Sequence, residues 1–330
     1  MSVSNIFTQQ TGAELPLICG PMYPCSNPEL VGAVSAAGGI GIVQPISLTY
    51  VHGHDYREGL RLINRLAGGR PVGFNALIEQ SSKTYHDRMI KWVDIALEEG
   101  IRFFITSLGN PKWVVDRVHA AGGIVYHDVT LRKWAEKGRD AGVDGLVCVN
   151  NRAGGHLGPL DPRRLFDELS PLGLPLVSAG GVGSAKEFAE QMAIGYVAVQ
   201  LGTRFIAATE CTASESYKQA IVQAKESDIT QTERLTGVPV AVINNAFVQK
   251  LGTKAGWFAR WMLKGRKTKH WMRTIYGLRS IHRLKRDNAR EGTGRDEYWQ
   301  AGRSVATIDR VEPAATIVSR FRDAWHATLD

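Results

Sequence analysis

The sequence predicts an α/β fold in which eight parallel strands close into a barrel. Short apolar runs rich in β-branched residues recur along residues 15–202, and stretches with helical periodicity lie between them. Several of these stretches end in glycine, as helices with a left-handed cap do. Strands that are apolar throughout and alternate with helices are typical of a parallel sheet whose outer face is covered.

The apolar runs number eight, and their spacing is regular. In order they are LPLICG (15–20), GIGIV (39–43), PVGFNAL (71–77), IRFFITS (101–107), GIVYHDV (123–129), DGLVCV (144–149), LPLVSAG (174–180) and YVAVQLG (196–202). Helix start signals lie between them at Asn27, Asn110, Thr130 and Ser184. Eight such units in about 200 residues favour a (β/α)8 TIM barrel over an open sheet.

The main alternative is a doubly wound, dinucleotide-binding sheet. That fold needs a G-x-G-x-x-G turn directly after a strand. The glycine clusters at 38–41 and 180–183 both break this spacing. The sequence therefore favours the barrel.

The periodic pattern stops after Thr203, which predicts a change of domain. We expect the barrel domain to cover residues 1–212, and a smaller, mainly helical insertion after strand eight to cover residues 213–300. The final amphipathic run, within residues 301–330, is expected to return to the barrel.

Composition predicts a globular protein with reduced cysteine thiols and no membrane span. Hydrophobic residues make up 44% of the chain, and no apolar run approaches the roughly 18 residues that a bilayer span needs. The first residues lack the pattern of a signal peptide, so we expect a cytoplasmic protein. The four cysteines show no CxxC spacing, which indicates reduced thiols and no zinc site.

The net charge of +8 comes from one segment. Residues 250–295 hold fourteen Lys or Arg against Asp287 and Glu291, so this segment carries +12 and the remainder −4. No nucleic-acid-binding motif accompanies the basic residues, and we expect no nucleic-acid partner.

Barrel enzymes hold their active site at the carboxyl ends of the strands, so the residues that end each apolar run are the site candidates. These are Met22, Asn75, Thr106, His127, His156, Gly180, Gly181, Gly202 and Thr203. The loops SAGGVGS and LGTRF follow strands seven and eight. These loops offer backbone amides at glycines, the Thr203 hydroxyl and the start of a helix. Such donors predict a site for the phosphate of a cofactor.

Taken together, these motifs resemble one family. GPM (20–22), AAGGIGIV, PVGFNAL, AGGH (153–156), SAGGVG and QLGTRF occur in the same order in nitronate monooxygenases and in the related flavin-dependent enoyl-acyl-carrier-protein reductases. The resemblance covers residues 14–245 and, weakly, the end of the chain. It implies a TIM barrel that binds FMN, with a smaller helical domain over the flavin.

The resemblance also implies roles for individual residues. His156 would be the catalytic residue facing the flavin ring. The residues implied to contact FMN are Met22, Asn75, Gly154, Gly180, Gly181, Gln200, Gly202 and Thr203. His127 is expected to line the same pocket, either in contact with the cofactor or behind it.

The chemistry of histidine agrees with the role of His156. An imidazole with an ordinary pKa near 6.5 can take or stabilise a proton near neutral pH. Glycines on either side allow a substrate and a cofactor to approach the backbone closely. The alternative is a histidine that only closes a loop by a hydrogen bond.

Other polar residues give weaker signals. His52 and His54 lack a third ligand, which favours a surface loop over a metal site. Asp128 stands where some relatives have a lysine close to the flavin. Because an acid there would repel the cofactor phosphate, we expect Asp128 to point elsewhere or to serve a different substrate. Arg303 stands where many relatives have glutamine. Arg303 is suited either to an anionic substrate or to a salt bridge.

The basic segment opens a second functional hypothesis. It is suited to docking a coenzyme A thioester or an acyl carrier protein, which we place ahead of an acidic membrane surface. Alternatively, it is an insertion helix with solvated charges. The first hypothesis is an FMN-dependent monooxygenase that converts alkyl nitronates with dioxygen to carbonyl compounds and nitrite. The second is an FMN-dependent reductase or dehydrogenase of an enoyl or cyclic acyl thioester, with NAD(P)H as co-substrate. We hypothesise that the protein forms a homodimer.

Overall fold

A computed structural model describes residues 4–79, 82–234, 239–254 and 298–328. The basic segment 250–295 lies almost entirely outside the described residues, so the expectations about it stay predictions. The division of the chain at residues 212 and 300 also stays a prediction.

Eight parallel strands close into a barrel, as the sequence predicts. In order around the barrel, the strands are β1 (Leu17–Cys19), β2 (Ile40–Val43), β3 (Val72–Leu77), β4 (Phe103–Ser107), β5 (Ile124–Val129), β6 (Gly145–Val149), β8 (Leu176–Ala179) and β9 (Ala198–Leu201). The barrel closes where Leu17 of β1 pairs with Val199 of β9. Each strand lies inside one of the eight predicted apolar runs.

Helices cover the outside of the barrel. In chain order they are α1 (Ile6–Thr11), α2 (Pro28–Ala36), α3 (Tyr56–Leu66), α4 (Lys83–Glu98), α5 (Lys112–Ala120), α6 (Arg132–Asp140), α7 (Pro162–Leu169), α8 (Ala185–Ile194), α9 (Thr203–Ile206), α10 (Glu215–Gln223), α11 (Ala246–Leu251) and α12 (Ala314–Ala327). Short 3-10 turns cover Ser170–Leu172, Glu226–Asp228 and Arg303–Thr307, and one π-helical turn covers Ser47–Val51. The start of α8 is fixed by a capping box between Ser184 and Glu187.

The barrel interior is filled by one side of each strand. Among the residues that fill it are Ile18, Ile40, Ile42, Phe103, Ile105, Tyr126, Val147, Val177 and Ala198. Phe7 of α1 belongs to the same cluster and meets Phe103 edge to face at 5.8 Å between ring centroids. Because Asn5 Nδ2 also donates to the carbonyl of Val197, just before β9, α1 closes the amino-terminal end of the barrel.

A small antiparallel sheet lies outside the barrel. It has the order β10–β11–β7, with β10 spanning Ile229–Thr232, β11 spanning Val240–Ile243 and β7 spanning Gly155–His156. No pattern in the sequence predicts this sheet. It joins the loop after β6 to the chain that follows the barrel.

The end of the chain returns to the barrel. Phe321 of α12 packs edge to face on Phe188 of α8 at 5.6 Å, and Trp325 is buried in the same cluster. Before α12, the buried Arg204 of α9 lies 3.7 Å from Glu312, which also binds Arg320. The return segment is therefore fixed both by apolar packing and by a buried ion pair.

None of the helices in the described part of the chain has the length and apolar character that a membrane span requires. The four cysteines are free and buried, in agreement with the expectation of reduced thiols.

Candidate active site

The glycine loops after β8 and β9 lie side by side at the carboxyl end of the barrel. Gly180 and Gly181 have φ values of +117° and +81°, which side chains rarely adopt. A Cβ atom on Gly180 would lie 2.6 Å from the backbone nitrogen of Ala153. Glycine is thus required where the loop after β8 touches the loop after β6.

Asn150 fixes the contact between these two loops. It is fully buried, its Nδ2 donates to the carbonyl of Gly180, and its Oδ1 accepts from the amide of Arg152. The backbone that leads to His156 therefore starts from a fixed point at the end of β6.

The return segment holds the same loop from the other side. The amide of Gly302 donates to Thr203 Oγ1 at 3.0 Å, and a Cβ on Gly154 would lie 2.7 Å from the nitrogen of Gly302. The amide of Arg303 donates to the carbonyl of Arg152 at 2.9 Å. Three loops and the return segment consequently meet around Gly154 and Thr203.

His156 lies on β7 and pairs with Val240 of β11. Its imidazole is open to solvent on one side and surrounded by protein on the others. This partial burial lowers the pKa of His156 below its ordinary value of 6.5. The side chain is therefore neutral at pH 7 and can accept a proton.

A pair of arginines lies at the rim of the glycine loops. Arg152 donates to both carboxylate oxygens of Glu226, each at 3.1 Å, and Arg303 binds the same carboxylate at 3.3 Å. A Cβ on Gly181 would lie 2.7 Å from Nε of Arg152. Two cations share one anion, so the rim has a positive balance suited to an anionic group. Arg303 thus makes the salt bridge expected from the sequence as one of two alternatives, whereas no sequence pattern pointed to Arg152.

The amides of the two glycine loops are free for a ligand. Within the described segments, the N–H groups of Gly181, Val182 and Thr203 donate to no protein acceptor. The hydroxyl of Thr203 accepts from Gly302 and keeps its own hydrogen to donate. Free amides, a hydroxyl and nearby arginines fit the phosphate of a cofactor.

Met22 and Gln200 lie on neighbouring strand ends. A Cβ on Gly202 would lie 3.5 Å from Sδ of Met22, and one on Gly20 would lie 2.9 Å from Cγ of Gln200. Oε1 of Gln200 is buried and has no partner among the described residues. A buried amide oxygen without a partner indicates a missing donor at this place.

A row of polar side chains crosses the mouth on β3, β4 and β5. Ser107 Oγ donates to Asp128 Oδ2 at 2.6 Å and lies 3.4 Å from Asn75 Oδ1. These residues continue the inward-facing side of strands whose lower positions, Ile105 and Tyr126, fill the barrel. The mouth therefore has a polar floor.

Thr106 and His127 lie on the opposite side of the same strands, which corrects the expectation that they line the mouth. A Cβ on Gly138 of α6 would lie 3.2 Å from the His127 ring, and His127 Nδ1 lies 2.8 Å from Thr106 Oγ1. Burial lowers the pKa of His127 to about 4. It packs between the barrel and α6, so we do not include it among the proposed cofactor contacts.

The remaining histidine motif shows no metal site. His52 Nε2 lies 3.2 Å from the carbonyl of Pro24. Across the residues that the structure describes, no group of three or more His, Cys, Asp or Glu side chains is arranged to hold a metal ion.

Fold and site define the class of a flavin-dependent barrel oxidoreductase. The family model of nitronate monooxygenase matches residues 4–321, and the chain belongs to this family. The protein is therefore an enzyme, an oxidoreductase that uses a flavin.

The curated relatives that share about a quarter of their residues with this chain are named as enzymes of two different activities. A "(3aS,4S,5R,7aS)-5-hydroxy-7a-methyl-1-oxo-octahydro-1H-indene-4-carboxyl-CoA dehydrogenase" of Rhodococcus jostii is 26% identical over 251 residues, covering 76% of this chain and 68% of the relative. A "probable nitronate monooxygenase" of Staphylococcus saprophyticus is 26% identical over 296 residues, covering 76% and 81%.

Solved structures share the whole fold. FabK from Thermotoga maritima has a TM-score of 0.79 and 25% identity, covering 99% of this chain and 97% of its own. A nitroalkane oxidase from Streptomyces ansochromogenes has a TM-score of 0.75 and 22% identity, covering 97% and 99%, and this likeness shows the fold alone.

Proposed function

We propose that the protein oxidises alkyl nitronates with dioxygen to carbonyl compounds and nitrite, using FMN, with His156 as base or anion stabiliser. The observation that carries this proposal is the placement of His156. It lies on β7, pairs with Val240, and follows Ala153 by three residues, where the loop after β6 touches Gly180. Its lowered pKa leaves a neutral imidazole at pH 7.

The residues that would hold FMN fall into two groups. The phosphate would lie against the loops with Gly180, Gly181, Gly202 and Thr203, near Arg152. The ring would lie against Met22, Asn75, Gly154 and Gln200, which the mouth presents beside them. When bound, FMN supplies the redox chemistry, taking electrons from the substrate and passing them to dioxygen.

His156 would act on the substrate. As a neutral base, it takes the α-proton of a nitroalkane, and as an imidazolium it then stabilises the negative charge of the nitronate. The neighbouring Gly154 and Gly155 pack against the return segment, because a Cβ on either would lie 2.7 Å from Gly302 or Gln300. A small substrate would therefore reach the imidazole from its exposed side.

The test is to mix the purified protein anaerobically with propyl nitronate, NADH and NADPH, each separately, and to follow the flavin absorbance near 450 nm. In air, nitrite release is then measured with nitronate alone. We expect flavin reduction and nitrite with nitronate and no nicotinamide. Flavin reduction by a nicotinamide alone, without nitrite from nitronate, contradicts this proposal.

A second candidate function is reduction or dehydrogenation of an acyl thioester with NAD(P)H. Two observations favour it. Among the described residues, Arg152 and Arg303 share one carboxylate, Glu226, at the rim of the site. In addition, relatives from Rhodococcus jostii and Mycobacterium tuberculosis are named as dehydrogenases of a CoA thioester. The basic segment 250–295 would then face coenzyme A or an acyl carrier protein.

The same assay separates the two functions. If the substrate is an acyl thioester, NADPH or NADH should reduce the flavin rapidly and bleach its absorbance. An enoyl-CoA should then reoxidise the flavin and restore that absorbance. The matched variant is Glu226→Gln, which frees both arginines without removing either. We expect it to lower the KM for a CoA thioester several-fold and to leave the KM for propyl nitronate within about twofold.

A further inference from the structure

Asp128 is the charged member of the polar floor at the barrel mouth. Alternation along β5 places it on the side of Tyr126, whose ring fills the barrel, and opposite His127, which faces α6. Asn75 and Ser107 lie on the inward side of β3 and β4, and Ser107 contacts both Asn75 and Asp128. The Asp128 carboxylate therefore points to the inner side of the barrel at its mouth and not to the outer core, which corrects the expectation that it points elsewhere.

One oxygen of this carboxylate is without a partner. Oδ2 accepts from Ser107 at 2.6 Å, whereas Oδ1 is shut off from solvent and, in the part of the chain described, accepts from no donor. An ionised carboxylate can only accept hydrogen bonds, so a buried free oxygen indicates that a donor is missing. A ligand with an N–H or O–H group at the mouth would supply it.

No cation on the adjacent strand elements offsets this charge. The titratable side chains beside Asp128 on β5 and β6 are Tyr126, His127 and Cys148. Burial raises the pKa of Tyr126 and Cys148 and lowers that of His127, so all three are neutral at pH 7. Burial raises the pKa of Asp128 itself to about 6, although the hydrogen bond from Ser107 opposes this shift. At pH 8 the carboxylate is ionised and acts directly on whatever occupies the mouth.

We propose that Asp128 binds the flavin ring, with Oδ1 accepting its imide N–H, and that its negative charge makes the bound flavin harder to reduce. The edge of a flavin ring presents one imide N–H between two carbonyl groups. Asn75 beside Asp128 carries an amide that can donate to such a carbonyl. A reduced flavin carries negative charge near neutral pH, so a carboxylate beside it stabilises the oxidised form relative to the reduced one.

The inference rests on flavin binding, which is part of the proposed function, and on neither of its two substrates. Its test is the reduction potential of the bound flavin in the holoenzyme and in Asp128→Asn, from pH 5 to pH 8.5. Asparagine keeps an acceptor oxygen and removes the charge. We expect FMN affinity of the oxidised protein to stay within about threefold.

The difference in reduction potential between the native protein and Asp128→Asn is expected to depend on pH. At pH 8, Asp128→Asn should bind reduced flavin about tenfold better relative to oxidised flavin, a rise of about 30 mV for a two-electron couple. The difference should vanish near pH 5, because Asp128 of the native protein is then protonated and uncharged. Ser107→Ala removes the bond that favours the ionised form, so the pH at which the difference appears should move upward.

The matched control is Asp116→Asn. Asp116 is an exposed acid on α5, paired with Lys112, and its replacement should leave the potential unchanged. Circular dichroism checks the fold of each variant, and Ser107→Ala provides the test should Asp128→Asn not fold.

Equal potentials of the native protein and Asp128→Asn at pH 8 overturn the inference. A folded Asp128→Asn protein that no longer takes up FMN overturns it as well, because the amide keeps the acceptor. If the native protein itself takes up no flavin, the proposed function has failed. An unchanged potential in a flavin-loaded Asp128→Asn protein leaves that function standing.

Discussion

At the scale of single residues, His156 combines an imidazole that is open to solvent with a pKa lowered by burial. We predict that His156→Ala lowers kcat/KM for a nitroalkane, whose α-proton must be removed, by about 10²–10⁴-fold, the usual contribution of a general base. For a base, activity of the native enzyme should rise as pH increases through the His156 pKa, below 6.5. Steady-state rates from pH 5 to pH 8.5 measure both effects.

The control for this substitution is His326→Ala, on the exposed side of α12. Its activity should match that of the native enzyme. A His156→Ala enzyme that keeps more than about a tenth of the native kcat/KM would show that the imidazole takes no part in proton transfer.

Gly180 allows a prediction about backbone rather than chemistry. In Gly180→Ala, the new Cβ would lie 2.6 Å from the backbone of Ala153, at a φ of +117°. We predict a loss of about 2 kcal/mol or more in the free energy of unfolding, together with weaker flavin uptake. Urea unfolding and FMN titration measure the two effects.

Gly173→Ala is the comparison for Gly180→Ala. Gly173 also has a left-handed φ, of +73°, but a Cβ there would meet no atom within 4 Å. The cost should be the conformational strain alone, about 1 kcal/mol. Equal losses in the two variants would show that the contact with the loop after β6 adds nothing.

The sequence located the strand ends but not the direction of their side chains. From the residues alone, Thr106 and His127 were candidates for the mouth, yet the structure places Ser107 and Asp128 there. The strands of a barrel are apolar on both sides, so the sequence carries no alternation that tells inside from outside. Ser107 could have been found only by knowing that Ile105 and Tyr126 fill the interior.

At the scale of elements, α12 shows how the end of the chain stabilises the barrel. Phe321 is 2% exposed and packs on Phe188 of α8. We predict that Phe321→Ala lowers the free energy of unfolding by about 3–5 kcal/mol, because it leaves a cavity between the helices. Denaturant titration at constant pH measures the loss.

Ser319→Ala on the exposed side of α12 is the matched change. It should alter stability by no more than about 0.5 kcal/mol. A small effect of Phe321→Ala would mean that α12 contributes little to the stability of the barrel.

The small sheet β10–β11–β7 is an element that local patterns could not reveal. β7 has only two residues, Gly155 and His156, and pairs with β11, about 85 residues further along the chain. Such a short strand forms only because its partner is already in place. The sequence alone identified His156 as a candidate, whereas the strand pairing that positions it is visible only in the tertiary structure.

At the scale of the whole molecule, charge is distributed unevenly. The segment 250–295 carries +12 and the rest of the chain −4. If this segment recruits a coenzyme A thioester or an acyl carrier protein, kcat/KM for that substrate should fall about tenfold as salt rises from low to physiological concentration. For propyl nitronate, the change should stay within about twofold, and rates measured with both substrates over the same salt series provide the comparison.

Equal salt dependence for the two substrates would remove the argument for docking. The positive charges would then serve only to keep the surface solvated. Replacing Lys264, Arg266, Lys267 and Lys269 with glutamine should reproduce the effect of salt on the thioester and leave the nitronate rate unchanged.

The sequence by itself determined the eight strands, their parallel order and the glycine loops that favour a phosphate. These features are local: each strand is a short apolar run, and the loop after β8 needs residues that adopt positive φ, Gly180 and Gly181. Only the tertiary structure decided that Arg152, Glu226 and Arg303 meet, that His127 faces α6, and that Asp128 faces the mouth. Those contacts join residues far apart in the chain, and they depend on barrel closure and strand direction, which no local pattern encodes.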